Sequence, residues 1–200
     1  IPEGVNAFAA TGVMDQVALE KFRRELEKKS IFWNRVDAGD CKAGSIQRVW
    51  PPEKSTEPSH YKMDVNKNHD PNVQFSTLAH ELAHLFLGHL GRDSKLRIPE
   101  RSTQNHQQRE LEAESTAFIV CARSGVECKS QKYLANYVKQ DTTTEQLDLY
   151  QIMRAAGQVE TLLGLALHTK VDRPKKKDQE TLPLFPEKTP EPTDLFDSND

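Results

Sequence analysis

Apolar residues recur along the chain with two different periods, and the changes of period mark the elements. Ala18, Phe22 and Leu26 return every four residues, which predicts a helix over 14–29 with Asp15 as its cap. Short runs at 31–36 and 45–50 read as strands around a turn at Asp37-Ala38-Gly39-Asp40, and Pro51-Pro52 ends the second. Residues 60–66 alternate strictly, putting Tyr61, Met63 and Val65 on one side of a third strand. From Asp70 the period returns to that of a helix. Asp70-Pro71 supplies an N-cap and a first-turn proline, and Gly88 and Gly91 supply the stop. A polar loop over 92–105 leads to a long helix from Asn105 to Arg123, with Gly125 as its terminator. Two more helices are expected at 130–139 and 142–169. A Thr142/Glu145 capping box opens the second, and Leu149, Ile152, Met153, Ala156, Val159, Leu162, Leu163 and Ala166 form its core-facing stripe. A helix, three short strands and then a run of helices are read as an α+β fold.

The helix after Asp70 carries the chemistry. Phe75, Leu78, Ala79, Leu82, Leu85 and Phe86 fill one arc, and Ala83 and Leu87 are apolar as well. A surface helix would carry charge over much of its circumference; this one has a single polar notch made by Thr77, His80, Glu81 and His84. Buried polar groups are costly unless partnered. His80 and His84 are one turn apart on one face, so two imidazoles can converge on one metal ion. Glu81 lies about 100° further round, placed to take a proton from water held at that metal without ligating it.

A catalytic zinc commonly takes three protein ligands and keeps one position for water. On the 105–123 helix, Glu110 and Glu114 share a face with Ala113, Ala117 and Cys121, small residues that allow close approach to the metal helix. Glu110 is therefore the expected third ligand, and Glu114 the carboxylate that hydrogen-bonds a ligating histidine. Glu112 falls on the opposite side of the wheel, which predicts an outward face and a nearly neutral Glu112→Ala. His106, His89, Tyr61 and His60 are the candidate donors to a developing oxyanion. The 60–66 strand, just ahead of the metal helix, is expected at the cleft edge, pairing with a substrate backbone.

The run His80-Glu81-Leu82-Ala83-His84-Leu85-Phe86-Leu87-Gly88-His89, followed by Glu110-Leu111-Glu112-Ala113-Glu114-Ser115-Thr116-Ala117-Phe118, resembles the ImmA/IrrE family of metallopeptidases. It is also similar to the metallopeptidase domain of ArdC-type antirestriction proteins. The resemblance covers roughly residues 60–125. It implies a zincin-like fold: a small sheet, an active-site helix with His-Glu-x-x-His, and a C-terminal helical part. It also implies Zn2+ (or Mn2+, which the ligand set accepts) on His80, His84 and Glu110, and Glu114 in the second motif. The implied activity is endopeptidase cleavage of a regulatory protein such as a transcriptional repressor, with Glu81 as general base. The competing reading is a non-proteolytic zincin-fold binding protein acting in antirestriction or DNA-associated regulation; the intact Glu81 weighs against it. A metzincin pattern fails on spacing, because Leu87 and Leu90 stand where glycine and histidine are required.

Composition adds limits. Of 200 residues, 36% are hydrophobic and 28% charged, as in a globular protein with a polar extension. No apolar run approaches membrane-spanning length, so no membrane partner is expected and the cytoplasm is the default compartment. The three cysteines, Cys41, Cys121 and Cys128, form no Cys-x-x-Cys pair and argue against a disulfide framework. Ile1 in place of Met leaves room for upstream sequence. The net charge of −3 resides in residues 171–200, which leaves 1–170 neutral overall, so nucleic-acid binding would need a local basic patch. Five of the eleven prolines also fall after 170. The chain is therefore divided into a metallopeptidase domain at 1–170 and a disordered, proline-rich acidic tail at 171–200. Within the tail, Gln179-Glu180-Thr181-Leu182-Pro183-Leu184-Phe185 resembles the short peptides that bind the bacterial sliding clamp, with a chance apolar island as the competing reading.

Overall fold

The computed structural model describes residues 9–39, 42–51, 58–128 and 147–165. The expected helix at 130–139, the Thr142/Glu145 capping box, Ala166, the 171–200 tail and its Gln179–Phe185 segment lie outside the described residues. The described order is β1 (Ala10–Gly12), α1 (Gln16–Glu27), β2 (Ile31–Val36), β3 (Gly44–Val49), β4 (His60–Asn66), α2 (Pro71–Phe86), α3 (His106–Arg123), β5 (Val126–Cys128) and α4 (Leu149–Leu163). This is the mixed α+β content that the periodicities predict. Among the described residues no helix is long and apolar enough to cross a membrane.

The three long strands form one sheet in the order β2-β4-β3. β4 runs parallel to β2, with Ile31 opposite Tyr61, and antiparallel to β3, with Ile46 opposite Met63. The alternation at 60–66 holds: Tyr61, Met63 and Val65 are buried against the helices. The place assigned to that strand does not hold. β4 is central, both of its edges are hydrogen-bonded, and it has no ladder left for a substrate. β2 and β3 are the two edge strands, and β3 is the one whose Ile46 main chain reaches Glu81. The Ala43 carbonyl accepts from the Asn66 N–H, so odd-numbered residues of β3 bond to β4. By the alternation of an antiparallel pair, the main-chain groups of Gly44, Ile46 and Arg48 then face away from the sheet.

β3 also lies against α2, and Gly44 is what allows it. A Cβ at residue 44 would stand 2.5 Å from Thr77 Cγ2 and 2.8 Å from the Asp64 carbonyl oxygen. Neither backbone nor a β-branched side chain yields easily to that. Gly44→Ala is expected to cost about 1–3 kcal/mol of stability by overpacking, read as a lowered urea midpoint with an unchanged m-value.

The caps read from the sequence are in place. Asp15 accepts from the Ala18 N–H, Asp70 from the Asn72 N–H and Asn105 from the Gln108 N–H. α4 is shorter than the 142–169 expectation. Asp148 caps it by accepting from the Gln151 N–H, and Gly164 closes it in the left-handed region at φ 66°. Its stripe is buried at Ile152, Ala156, Val159 and Leu163, but Leu149 and Met153 are exposed. The strands β1 and β5 pair antiparallel and have no counterpart in the periodicity, since three residues carry no readable alternation. The core lies between the sheet and α2, closed by Leu19, Phe22 and Leu26 of α1 and by α3 and α4.

Candidate metal centre

α2 is buried nearly all round: Phe75, Leu78, Ala79, Leu82, Ala83 and Leu85 are fully enclosed. Its polar notch opens toward α3, which packs against it. Ala79 and Ala83 on one helix, and Ala113 and Ala117 on the other, are buried small residues that permit a close approach. Across the gap His80, His84 and Glu110 converge, each only partly buried. His80 Nε2 and His84 Nε2 are 3.1 Å apart. Glu110 places Oε2 3.5 Å from the first and Oε1 3.4 Å from the second. At zinc–ligand bonds of about 2.0–2.1 Å the edges of a tetrahedron measure about 3.3–3.4 Å. Two imidazoles and a carboxylate at this spacing fit a small divalent cation.

Electrostatics agree with that fit. Burial pushes the His84 imidazole down to about 4, so it is neutral, as a ligand must be. Burial pushes His80 the same way, but the Glu110 and Glu114 carboxylates outweigh it and raise His80 to about 10. The same two histidines hold the Glu110 carboxyl well below the usual range against the opposing effect of its burial. Glu81, on the next position of α2, is raised chiefly by burial, and further by the Glu110 charge. A main-chain hydrogen bond from Ile46 at the β3 edge touches its carboxylate.

The surrounding residues divide. His80 Nδ1 lies 2.9 Å from Glu114 Oε2, on the ring's far side from Glu110. His106 is exposed at the start of α3, with Nδ1 3.6 Å from Glu110 Oε1, on the open side of the centre. His89 is elsewhere: it is buried, and its Nδ1 lies 2.9 Å from His84 Nδ1, behind the ligand histidine and away from any substrate. Tyr61 donates its hydroxyl to Asp93 Oδ2 at 2.9 Å, and burial with that carboxylate raises its pKa. That hydroxyl is engaged at the Asp93 loop. His60 stacks edge-on against Phe32 on the sheet. Glu112 corrects the helical wheel. It is completely buried, accepts from Arg101 Nη2 at 2.8 Å and lies 3.5 Å from His89 Nε2. α3 has two buried sides: α2 covers one, and the 87–105 segment with the start of α4 covers the other.

Residues 42–145 match the family model Peptidase_M78, described as the IrrE N-terminal-like domain, a family of metallopeptidases with a zincin-like fold. The match takes in more than half of the chain, and the chain belongs to this family. The matched stretch contains His80, Glu81, His84 and Glu110. It accords with the IrrE side of the sequence resemblance and does not bear on the antirestriction side. No curated protein and no solved structure matches the chain.

Proposed function

We propose that the protein is a zinc-dependent endopeptidase that hydrolyses a regulatory protein, such as a repressor. The observation that supports this best is the 3.1–3.5 Å triangle of His80, His84 and Glu110, with the partly buried Glu81 carboxylate on the same helix. In this reading those three residues hold the metal, zinc or manganese. When bound, the metal supplies Lewis-acid activation of water and of the scissile carbonyl. Glu81 takes the proton of the attacking water and delivers it to the leaving amine; its pKa, raised by burial, suits both steps. Glu114 accepts the His80 Nδ1–H and fixes the ring so that Nε2 faces the centre. β3 takes the substrate role that the sequence assigns to β4: the outward main-chain groups of Gly44 and Arg48 and the Ile46 carbonyl align an extended peptide, while the Ile46 N–H holds Glu81 beside it. His106, on the open side, is the remaining candidate donor to the oxyanion.

Residues 1–170 form the catalytic unit in this reading. The tail at 171–200 is a separate docking segment, with the sliding clamp as the partner proposed for Gln179–Phe185. Removing residues 171–200 is expected to leave zinc content and cleavage within about twofold, checked by metal analysis and a peptide assay on the shortened chain; loss of both would place the tail in the catalytic unit.

The function is tested by incubating the zinc-loaded full chain with casein and with purified repressors. Cleavage that stops on chelation and returns with added zinc is the expected result. A zinc-loaded protein that cleaves none of them but binds a repressor or DNA would favour the non-proteolytic reading.

A further inference from the structure

The two histidines of the proposed metal centre are supported differently. His80 meets a carboxylate directly, at Glu114. His84 meets a second imidazole, His89, and only beyond that a carboxylate, Glu112. The local fold creates this arrangement. Gly88 takes φ +86°, and a Cβ there would collide with the Pro99 carbonyl. The left-handed turn brings the chain back at the end of α2, the His89 N–H bonds to the His84 carbonyl at 3.1 Å, and the His89 ring lies behind the ring it supports. The Arg101 N–H then bonds to the Gly88 carbonyl at 3.2 Å, which places Arg101 beside Glu112. Gln104 Nε2 and the Asp148 N–H also approach Glu112 Oε1, at 3.4 Å and 3.5 Å.

Proton positions along this chain follow from one constraint. If His84 presents Nε2 to the metal, its proton is on Nδ1 and must be donated. The only atom at hydrogen-bonding distance among the described residues is His89 Nδ1, 2.9 Å away, which must then be the bare acceptor. A neutral His89 therefore carries its proton on Nε2, and that N–H points at Glu112 Oε2, 3.5 Å away. His89 Nε2 and Glu112 Oε2 are both buried, and neither makes a hydrogen bond; they face each other in an imidazole–carboxylate contact. Each has the other as its charged or polar partner, at 3.5 Å.

We propose that His89 and Glu112 are positioning residues for His84: a buried imidazole–carboxylate rail, anchored by Arg101, that fixes the tautomer and the orientation of the ligand histidine. The rail rests on the reading of His80, His84 and Glu110 as metal ligands. It gives His84 by relay what Glu114 gives His80 by contact. It also ties the metal centre to the 87–105 segment and to the start of α4, neither of which supplies a ligand.

The test uses the zinc-loaded full chain and its variants. Zinc affinity is measured by chelator competition, and stability by thermal melting of the metal-free form. His89→Phe, which fills the space without hydrogen-bonding, is expected to weaken zinc binding about 10–100-fold. His89→Gln can accept from His84 and donate to Glu112, and is expected to stay within about threefold of the wild type. Glu112→Gln is expected to weaken zinc binding and to leave a metal-free protein that still melts cooperatively. Nitrogen-15 spectra of the zinc-loaded wild type are expected to show the proton on Nδ1 of His84 and on Nε2 of His89, a reading that requires no variant. Zinc affinity unchanged in both His89→Phe and Glu112→Gln would overturn the rail, as would a His89 protonated on Nδ1. Equal loss in His89→Phe and His89→Gln would reduce His89 to packing and overturn it too. A wild-type chain that takes up no metal would remove the metal centre itself, and the rail with it.

Discussion

Glu81→Gln is expected to bind zinc as the wild type does and to lose hydrolysis by about 10²–10⁴-fold or more. Glutamine nearly reproduces the shape of glutamate, and its carbonyl oxygen can still take the Ile46 hydrogen bond that glutamate takes. Glu81 is not among the three converging ligand candidates, so the metal triangle is left intact. What the substitution removes is the ability to hold a proton between attack on the carbonyl and departure of the amine. Metal analysis and a cleavage assay on one preparation separate the two properties. A variant that keeps more than a tenth of the activity would show that some other group is the base; one that loses its metal would place Glu81 among the ligands.

Glu110→Ala is expected to have the second large effect, and of a different kind. It leaves two imidazoles on α2 and no third donor, so bound zinc should fall sharply and activity with it. Glu114→Ala removes a carboxylate that meets the far side of the His80 ring. It is expected to retain the centre with a loss of about 10–100-fold in zinc affinity. Glu112→Ala, which a helical wheel makes neutral, is expected to be destabilising. It leaves the Arg101 guanidinium without its carboxylate in a buried place, a loss on the order of 3–5 kcal/mol where such pairs are broken. Equilibrium unfolding reads that loss, and zinc titration of the three variants side by side reads the order of ligands. Retention of zinc by Glu110→Ala would contradict the assignment of the third ligand.

The sequence carried the centre because its chemistry is local. The i, i+4 spacing of His80 and His84 and the adjacent Glu81 need nothing but a helix, and the sealed apolar arc of α2 announces that helix. Glu110 and Glu114 share one face for the same reason. The failures are where the answer depends on what packs against an element. A wheel assumes one buried side, and α3 has two, so Glu112 was assigned to water when it is fully enclosed. Periodicity identifies β4 as a strand but says nothing of its neighbours; strand order is a tertiary property, and the edges fall to β2 and β3. The sequence makes His89 a candidate oxyanion donor, and the structure turns it away from that role, behind His84. Its position behind His84 depends on the left-handed turn at Gly88, which Leu87-Gly88-His89 signals only as a helix stop. The division at 170 and the clamp-like segment of the tail fall outside the described residues.

The most direct test of the metal centre is zinc X-ray absorption on the purified full chain. The account predicts a first shell of nitrogen and oxygen at about 2.0–2.1 Å, with the outer-shell scattering of two imidazoles and no sulfur. A sulfur shell at about 2.3 Å would move the metal to cysteine, or the signature of a single imidazole would break the His80/His84 pair, and either result would contradict it.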